Sequence, residues 1–380
     1  MTTEVFITRS AAYLPLAPVS NDEMESVLGM VGGKPSRSRR IILRNNGIVS
    51  RHYALDRESG EPVMTNAQLA ASAIRGLGDL GDGGPIDCLA TGTSIPDQLM
   101  PGHGVMVHGE LGWPQLEVVS LAGVCLSGAA ALKYAFMAVA TGSADRAITT
   151  GSELISPLLH ARNFEAECEH KTANLETHPE IAFEKDFLRW MLSDGAGALL
   201  LEPKPGPGLS LRVKWIELFS NAHRLPTCMY AGGDKMPDGS LRGWMRFPVS
   251  EWSSQSIFSI KQDVRLLNEH VAPVTTIEPI RALRDRHDLR AEQVDWFLPH
   301  ISSQYFQPIL EKTLDSIGFH IPRERWFSNL ATCGNTGSAS PYIMLDELMR
   351  SGKIQSGQTL LLYVPESGRF SSGFIYLEAV

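Results

Sequence analysis

Three segments of the chain hold residue types that together can move an acyl group. In SLAGVCLSGAAALKYAFMAVATG, Cys125 stands between small residues just ahead of a long, nearly uncharged helical run. A thiol at a helix start meets unsatisfied N–H groups and the positive end of the helix dipole, which lowers its pKa and makes it a nucleophile. The same place also suits a small packing residue, because free cysteine is among the most buried residue types. In FLPHISSQYF, His300 lies where an apolar strand gives way to a helix. In NLATCGNTGSAS, Asn335 lies in a small-residue loop before a helix. A lone histidine or an Asn-Thr-Gly turn says little. A thiol, an imidazole and a neutral amide at strand ends supply a nucleophile, a proton partner and a hydrogen-bond donor.

The surrounding pattern alternates short apolar strands with helical stretches, which predicts an α/β fold. Strands are expected in EVFITRSAAYLP, IDCLATGTS, LEVVSLAGV, RAITTGSE and SDGAGALLLEP, and again in SLRVKWIELFS, VDWFLPH and QTLLLYVPESGRFSSGFIYLEAV. Residues 126–141 carry one charge, Lys133, so that helix should be buried on nearly all sides. The stretch from Ser256 to Arg286 reads as mainly helical and broken at Pro273. The second half echoes the first without a linker. The expected division is 1–203, carrying the cysteine, and 204–380, carrying the histidine and asparagine. A polar and aromatic insert at 154–192 reads as a substrate lid, a dimer arm or a surface excursion. Phe183, Phe187 and Trp190 within it are read as insert core more than substrate wall.

At 380 residues the chain is long enough for two domains or one duplicated α/β unit. A net charge of −8 argues against broad nucleic-acid binding. No apolar run is long enough to span a membrane, and the N-terminus lacks the layout of a signal peptide. Five scattered cysteines fit a reducing cytosol, so a cytoplasmic protein is expected. Cys88, Cys168, Cys228 and Cys333 read as packing residues, with Cys333 near enough to Asn335 to line a pocket. The histidines of GHGVMVHGE read as structural, and no metal or nucleotide motif is present. One basic stretch breaks the acidic trend. Lys34, Arg37, Arg39, Arg40 and Arg44 crowd KPSRSRRIILR, either as a solvated segment or as a docking patch for an acidic partner.

Taken in order, NDEMESVLG, RNNGIVSRHYALD, LATGTSIPDQLMP, the Cys125 segment, SDGAGALLLEP, FLPHISSQYF and CGNTGSAS make the chain recognisable. It resembles the thiolase-superfamily condensing enzymes, specifically the β-ketoacyl-acyl-carrier-protein synthase III group, over nearly its whole length. The resemblance implies a five-layer αβαβα thiolase fold with two pseudo-duplicated halves, usually an obligate homodimer. It implies that Cys125 takes an acyl group as a thioester, and that His300 and Asn335 hold the extender's thioester carbonyl as an enolate forms. It also implies an oxyanion hole from the main-chain N–H groups of Cys125 and Gly368. Such donors are worth roughly 3–4 kcal/mol each. Glu153 matches a polar position of the family. No bound cofactor is implied beyond the phosphopantetheine arm of an acyl carrier protein or coenzyme A.

Two departures refine that expectation. Ile41 and Asn45 stand where the family carries a tryptophan and an arginine, which favours carrier-bound substrates over a coenzyme A primer. The C-terminal loop, PESGRFSSG, carries Glu366 and Arg369 where the family is nearly all glycine. Arg369 there could bind a substrate oxygen or pair with Glu366 or Glu153, or point to solvent. With the insert, these features resemble the bacterial ketosynthase/cyclase branch that makes dialkylresorcinols, cyclohexanediones and stilbenes. That branch joins two acyl chains, one a β-ketoacyl thioester, and closes a six-membered ring. Glu153 and Arg369 would then hold the extra keto groups. Three other readings stay open: an ordinary decarboxylative synthase III with an unusual primer, a thiolase-fold acyltransferase acting on an alcohol or amine, and a non-catalytic partner of a condensing heterodimer.

Overall fold

The computed structural model describes residues 3–164 and 187–380. Nine strands form its large sheet: β1 (Phe6–Tyr13), β2 (Cys88–Thr93), β3 (Glu117–Ala122), β4 (Ala147–Glu153), β5 (Gly195–Glu202), β6 (Leu211–Phe219), β7 (Trp296–Pro299), β8 (Thr359–Pro365) and β9 (Ser372–Ala379). Their spatial order is β7-β8-β9-β6-β1-β5-β4-β2-β3. Going outward from β1, the pairings are antiparallel to β5, antiparallel to β4, then parallel to β2 and to β3. Going outward from β6, they are antiparallel to β9, antiparallel to β8, then parallel to β7. A parallel bridge from Phe297 to Trp326 continues that second series. The same sequence of senses thus runs both ways from the short contact of β1 with β6. Mixed senses on both sides are what βαβ units plus antiparallel neighbours produce.

The larger helices are α1 (Arg39–Asn46), α2 (Asn66–Gly76), α3 (His103–Leu111), α4 (Leu126–Ala140), α5 (Val264–His287), α6 (Gln307–Ser316) and α7 (Ser340–Arg350). α4 packs on β2, β4 and β9, and α7 on β1, β5 and β7, so these two helices lie between strands of both halves. α2 and α3 cover one outer face, while α5 lies against β8 and β9 with α6 beside it. This is the layering of the thiolase fold.

The central position of α4 follows from its composition. Ala129, Ala131, Leu132, Ala135 and Val139 are all buried, and small side chains let strands approach on both sides. Glycines set the closest approach. A Cβ on either Gly128 or Gly151 would lie 2.3 Å from the carbonyl oxygen of Ser338. The start of α4, the end of β4 and the approach to α7 therefore converge on one point.

α5 departs from the sequence-based expectation. It runs unbroken for 24 residues through both Pro273 and Pro279. Its buried face continues across both prolines through Ala272, Thr275, Thr276, Ile280 and Leu283. That packing outweighs the missing backbone donors. Of the insert, 165–186 lies outside the described residues, as do Cys168 and Phe183. No helix of the described residues is long and apolar enough to cross a membrane.

Candidate active site

Each of the three chemical residues sits at the end of a sheet strand or the start of a central helix. Cys125 is the residue before α4. His300 follows β7 directly, and its backbone N–H donates to the Tyr363 carbonyl of β8 at 2.7 Å. Asn335 precedes α7 and is fixed at three points. Its N–H donates to the Met191 carbonyl at 2.9 Å, its carbonyl accepts from Ser193 N–H at 2.9 Å, and its Oδ1 accepts from Gly337 N–H at 3.0 Å. With Oδ1 so held, the amide orients its Nδ2 as the remaining donor.

These residues, distant in sequence, line one cavity of about 350 Å³. Glu153 and Ser367 share it, and its wall is largely apolar, with Ile155, Leu188, Met191, Leu192, Ile260 and Val271. Burial sets the charge states. His300 is 3% exposed, and burial lowers its pKa to about 4, so the imidazole is neutral near pH 7. Burial pushes the Cys125 thiol pKa up, and the charges of Glu153 and Glu366 add to that. This corrects the expected depression of the thiol pKa. At the start of α4 the helix dipole is outweighed by desolvation and two nearby carboxylates. The upward shift favours the protonated thiol near neutral pH, so attack calls for a base beside it.

Glu153 ends β4 and is 4% exposed. Its Oε1 accepts three bonds: Ser94 N–H at 3.1 Å, Ser94 Oγ at 2.6 Å and Ser338 N–H at 2.9 Å. No described residue bonds its Oε2. Burial pushes its pKa up to about 7, against the opposing pull of those donors. A Cβ on Gly337 would lie 2.7 Å from Oε1, so that position is kept bare for the carboxyl. The cavity thus combines a thiol, two neutral donors and a carboxyl that can carry or release a proton near neutral pH. That combination fits acyl transfer coupled to carbanion chemistry.

Comparison with known proteins bears on which chemistry this is. Residues 285–375 match the model described as 3-oxoacyl-[acyl-carrier-protein (ACP)] synthase III C terminal, and residues 117–205 match that of the beta-ketoacyl synthase N-terminal domain. The first covers His300, Asn335 and the C-terminal loop, and the second covers Cys125 and Glu153. These matches make the chain β-ketoacyl-acyl-carrier-protein synthase III-like. It is 26% identical over 362 residues to beta-ketoacyl-[acyl-carrier-protein] synthase III of Bradyrhizobium sp. (strain BTAi1), covering 95% of both chains. In fold it is similar to AbyA1, a tetronic acid condensing enzyme, with TM-score 0.74 and 20% identity over 98% of this chain and 99% of that one. It is also similar to OleA of Xanthomonas campestris, with TM-score 0.69 and 19% identity over all of both chains. This synthase III-like chain is therefore an acyltransferase of the condensing type.

Several site expectations for the synthase change on the structure. The Gly368 N–H, expected in the oxyanion hole, donates instead to Oε1 of Glu366 at 2.6 Å. Gly368 does not line the cavity; its neighbour Ser367 does. The physical reason is that Glu366, 7% exposed, folds back over its own loop and takes the nearest amides. Arg369 does not reach the thiol either. It is exposed, and its guanidinium donates to the carbonyls of Ala222 at 2.7 Å and Leu225 at 2.9 Å. Those residues do not line the cavity that holds Cys125, so the arginine anchors a loop.

In the basic stretch, Lys34, Arg37, Arg40 and Arg44 are exposed, while Arg39 is half-buried and pairs with Glu25 at 2.9 Å. Cys88, Cys228 and Cys333 are buried packing residues, and Cys333 does not line the cavity. Trp190 is fully buried, Phe187 half-buried, and neither lines the cavity. Leu188, Met191 and Leu192 do so instead, from the described end of the insert. Sequence reasoning also missed Ser94 and Ser338, which hold Glu153. Both lie inside recognised segments, TGTS and CGNTGSAS, so a signal was there. Among the described residues no cluster of His, Cys, Asp or Glu could hold a metal ion.

Proposed function

We propose that this synthase joins an acyl group carried on Cys125 to a carrier-bound β-ketoacyl thioester, and that the product closes to a cyclohexanedione or resorcinol-type ring. In the first half-reaction, Cys125 Sγ attacks the acyl thioester. His300, neutral and in the same cavity, takes the thiol proton and returns it to the departing carrier thiolate. In the second, Glu153 removes the acidic proton between the two carbonyls of the β-ketoacyl thioester. His300 and Asn335 donate to the enolate oxygen. The carbanion attacks the Cys125 thioester, and the Cys125 thiolate leaves and recovers a proton from the protonated Glu153. The main-chain N–H of Cys125 serves the tetrahedral intermediate, with Ser367 N–H as the donor of the C-terminal loop that borders the cavity.

The observation that carries this reading is Glu153. A malonyl extender generates its carbanion by losing carbon dioxide and needs no base. A β-ketoacyl extender needs one, and here a buried carboxyl with one oxygen unengaged shares the cavity with the thiol. The likeness to AbyA1, whose name describes a condensing enzyme for a ring-containing product, agrees with it. We also propose a cytoplasmic homodimer that takes substrates from an acidic carrier protein and uses no cofactor of its own. An open sheet edge supports the dimer: β3 pairs with β2 alone and its other side is free among the described residues.

The test is a product and carbon dioxide assay with acyl-loaded carrier plus either a β-ketoacyl or a malonyl thioester. Condensation with the β-ketoacyl substrate, without gas release, supports the proposal. Turnover with malonyl substrates alone returns the chain to decarboxylative synthase III chemistry.

A further inference from the structure

Several polar side chains of the cavity wall, among them Tyr230, Ser302 and Gln262, are used by neither half-reaction, and of these Gln262 alone holds a buried polar atom without a hydrogen-bond partner among the described residues. Gln262 lines the cavity with Ile260, Leu267 and Val271 as neighbours in the wall. It is 5% exposed, and its Oε1 is fully buried with no hydrogen-bond partner among the described residues. A buried carboxamide in an apolar wall is costly unless something pairs with it. Val, Leu or Met at this position would pack without that cost. The backbone explains where the amide sits. Met229 N–H donates to the Ser367 carbonyl at 3.0 Å, and Met229 in turn pairs with Gln262 across a short antiparallel ladder. Gln262 is therefore two strand spacings from the loop beside Cys125, roughly 10 Å.

We propose that Gln262 is a substrate-recognition residue, pairing with a group on the thioester substrate, remote from the reacting carbon, that offers a hydrogen-bond donor. The unsatisfied atom is an acceptor, so a plain hydrocarbon or a lone ketone would leave it unpaired. A secondary amide or a hydroxyl would not. If the amide is turned end for end, its N–H2 asks for an acceptor, which both groups also supply. Two parts of a thioester can bring such a group: an amide of the pantetheine arm, or a hydroxyl on the acyl chain. The inference rests on the cavity holding a thioester substrate, as proposed above.

The test uses the full chain and its Gln262→Met variant, which keeps side-chain length and removes both hydrogen-bonding functions. One series carries the same acyl group on propanethiol, N-acetylcysteamine and pantetheine, adding arm amides stepwise. A second carries a plain or a hydroxyl-bearing chain on propanethiol. Transfer to Cys125 is followed by intact mass, and melting temperature confirms folding. The wild type should gain at least about tenfold in kcat/KM when the right donor is added, since a site built for a hydrogen bond discriminates strongly against analogues lacking it. Gln262→Met should lose most of that gain, its kcat/KM falling far more with the donor-bearing esters than with the plain propanethiol ester. A loss confined to the first series identifies the arm amide; a loss confined to the second identifies a chain hydroxyl. The same gain in both proteins, or none in the wild type, overturns the proposal. No transfer to Cys125 from any thioester would instead sink the acyl-transfer reading on which it stands.

Discussion

The carboxylate of Glu366 accepts the main-chain N–H of Gly368 at 2.6 Å, and those of Ser371 at 3.1 Å and Arg369 at 3.3 Å. One buried side chain thus holds the loop that borders the thiol, and its charge helps keep Cys125 protonated. Glu366→Gln retains an acceptor but removes the charge. The thiol should then ionise at lower pH, and iodoacetamide should alkylate Cys125 at lower pH than in the wild type. Glu366→Ala leaves the buried Gly368 N–H unpaired, a cost of about 1–3 kcal/mol, and should lower the melting temperature as well. An unchanged alkylation profile in the Gln variant would show that Glu366 does not act on the thiol.

Glu153 gives a pH signature of its own. Its pKa is raised to about 7, so the base form grows in as pH climbs through neutrality. The condensation rate with a β-ketoacyl substrate should rise over that range. Glu153→Gln keeps an oxygen for the three donors on Oε1 but cannot take a proton. It should lower condensation by about 10²–10⁴-fold while leaving Cys125 acylation nearly intact. The same shift affects stability. A carboxyl whose folded pKa lies above its unfolded value of about 4.5 stabilises the fold below that value, and the contribution is lost as pH rises through 7. Glu153→Gln should therefore melt higher than the wild type at pH 8 but not at pH 4.5.

His300 should contribute no inflection near pH 6.5. Burial holds its pKa at about 4, so it is neutral throughout the working range. Any rise in rate near pH 7 then belongs to Glu153 and should vanish in its Gln variant. His300→Ala and Asn335→Ala should each slow condensation by roughly 10²–10³-fold, the scale of one lost donor to a developing oxyanion. Asn335→Ala should spare acylation of Cys125, which intact-protein mass would show directly. Equal loss of both half-reactions in Asn335→Ala would place the amide in the first step as well.

How legible the site was depends on how local each relationship is. Cys125, His300 and Asn335 stand at strand ends and helix starts, which short-range patterns mark well, and the structure brings all three to one cavity. α4 was legible because a helix with one charge has to be buried. The C-terminal loop was not. Whether Gly368 faces substrate depends on Glu366 turning back two residues to claim its N–H, and whether Arg369 turns inward depends on carbonyls near residue 222. Neither choice leaves a trace in spacing. Gln262 is harder still, since it joins the wall only through a ladder with Met229. The prolines of α5 misled because local backbone rules say nothing of the packing that carries a helix past them.

The basic segment offers a prediction that separates docking from folding. Lys34, Arg37, Arg40 and Arg44 are exposed and bonded to no described residue, so charge reversal there should cost little stability. Arg39 differs. Its guanidinium bonds Glu25 at 2.9 Å, and that carboxylate is only 8% exposed, so the pair holds α1 to the segment before it. If the patch guides an acidic carrier, the combined Arg37→Glu, Arg40→Glu and Arg44→Glu variant should raise KM for carrier-bound acyl groups about tenfold or more. It should leave kcat and the reaction with small thioesters unchanged, and the wild-type advantage should shrink with salt as charges are screened. Arg39→Glu should instead lower the melting temperature and impair both substrate types together, because it places two carboxylates face to face at a half-buried site. Parallel kinetics on carrier-bound and small thioesters at two ionic strengths decide the matter. Equal effects on both substrates in the triple variant would show that the exposed arginines do not serve the carrier.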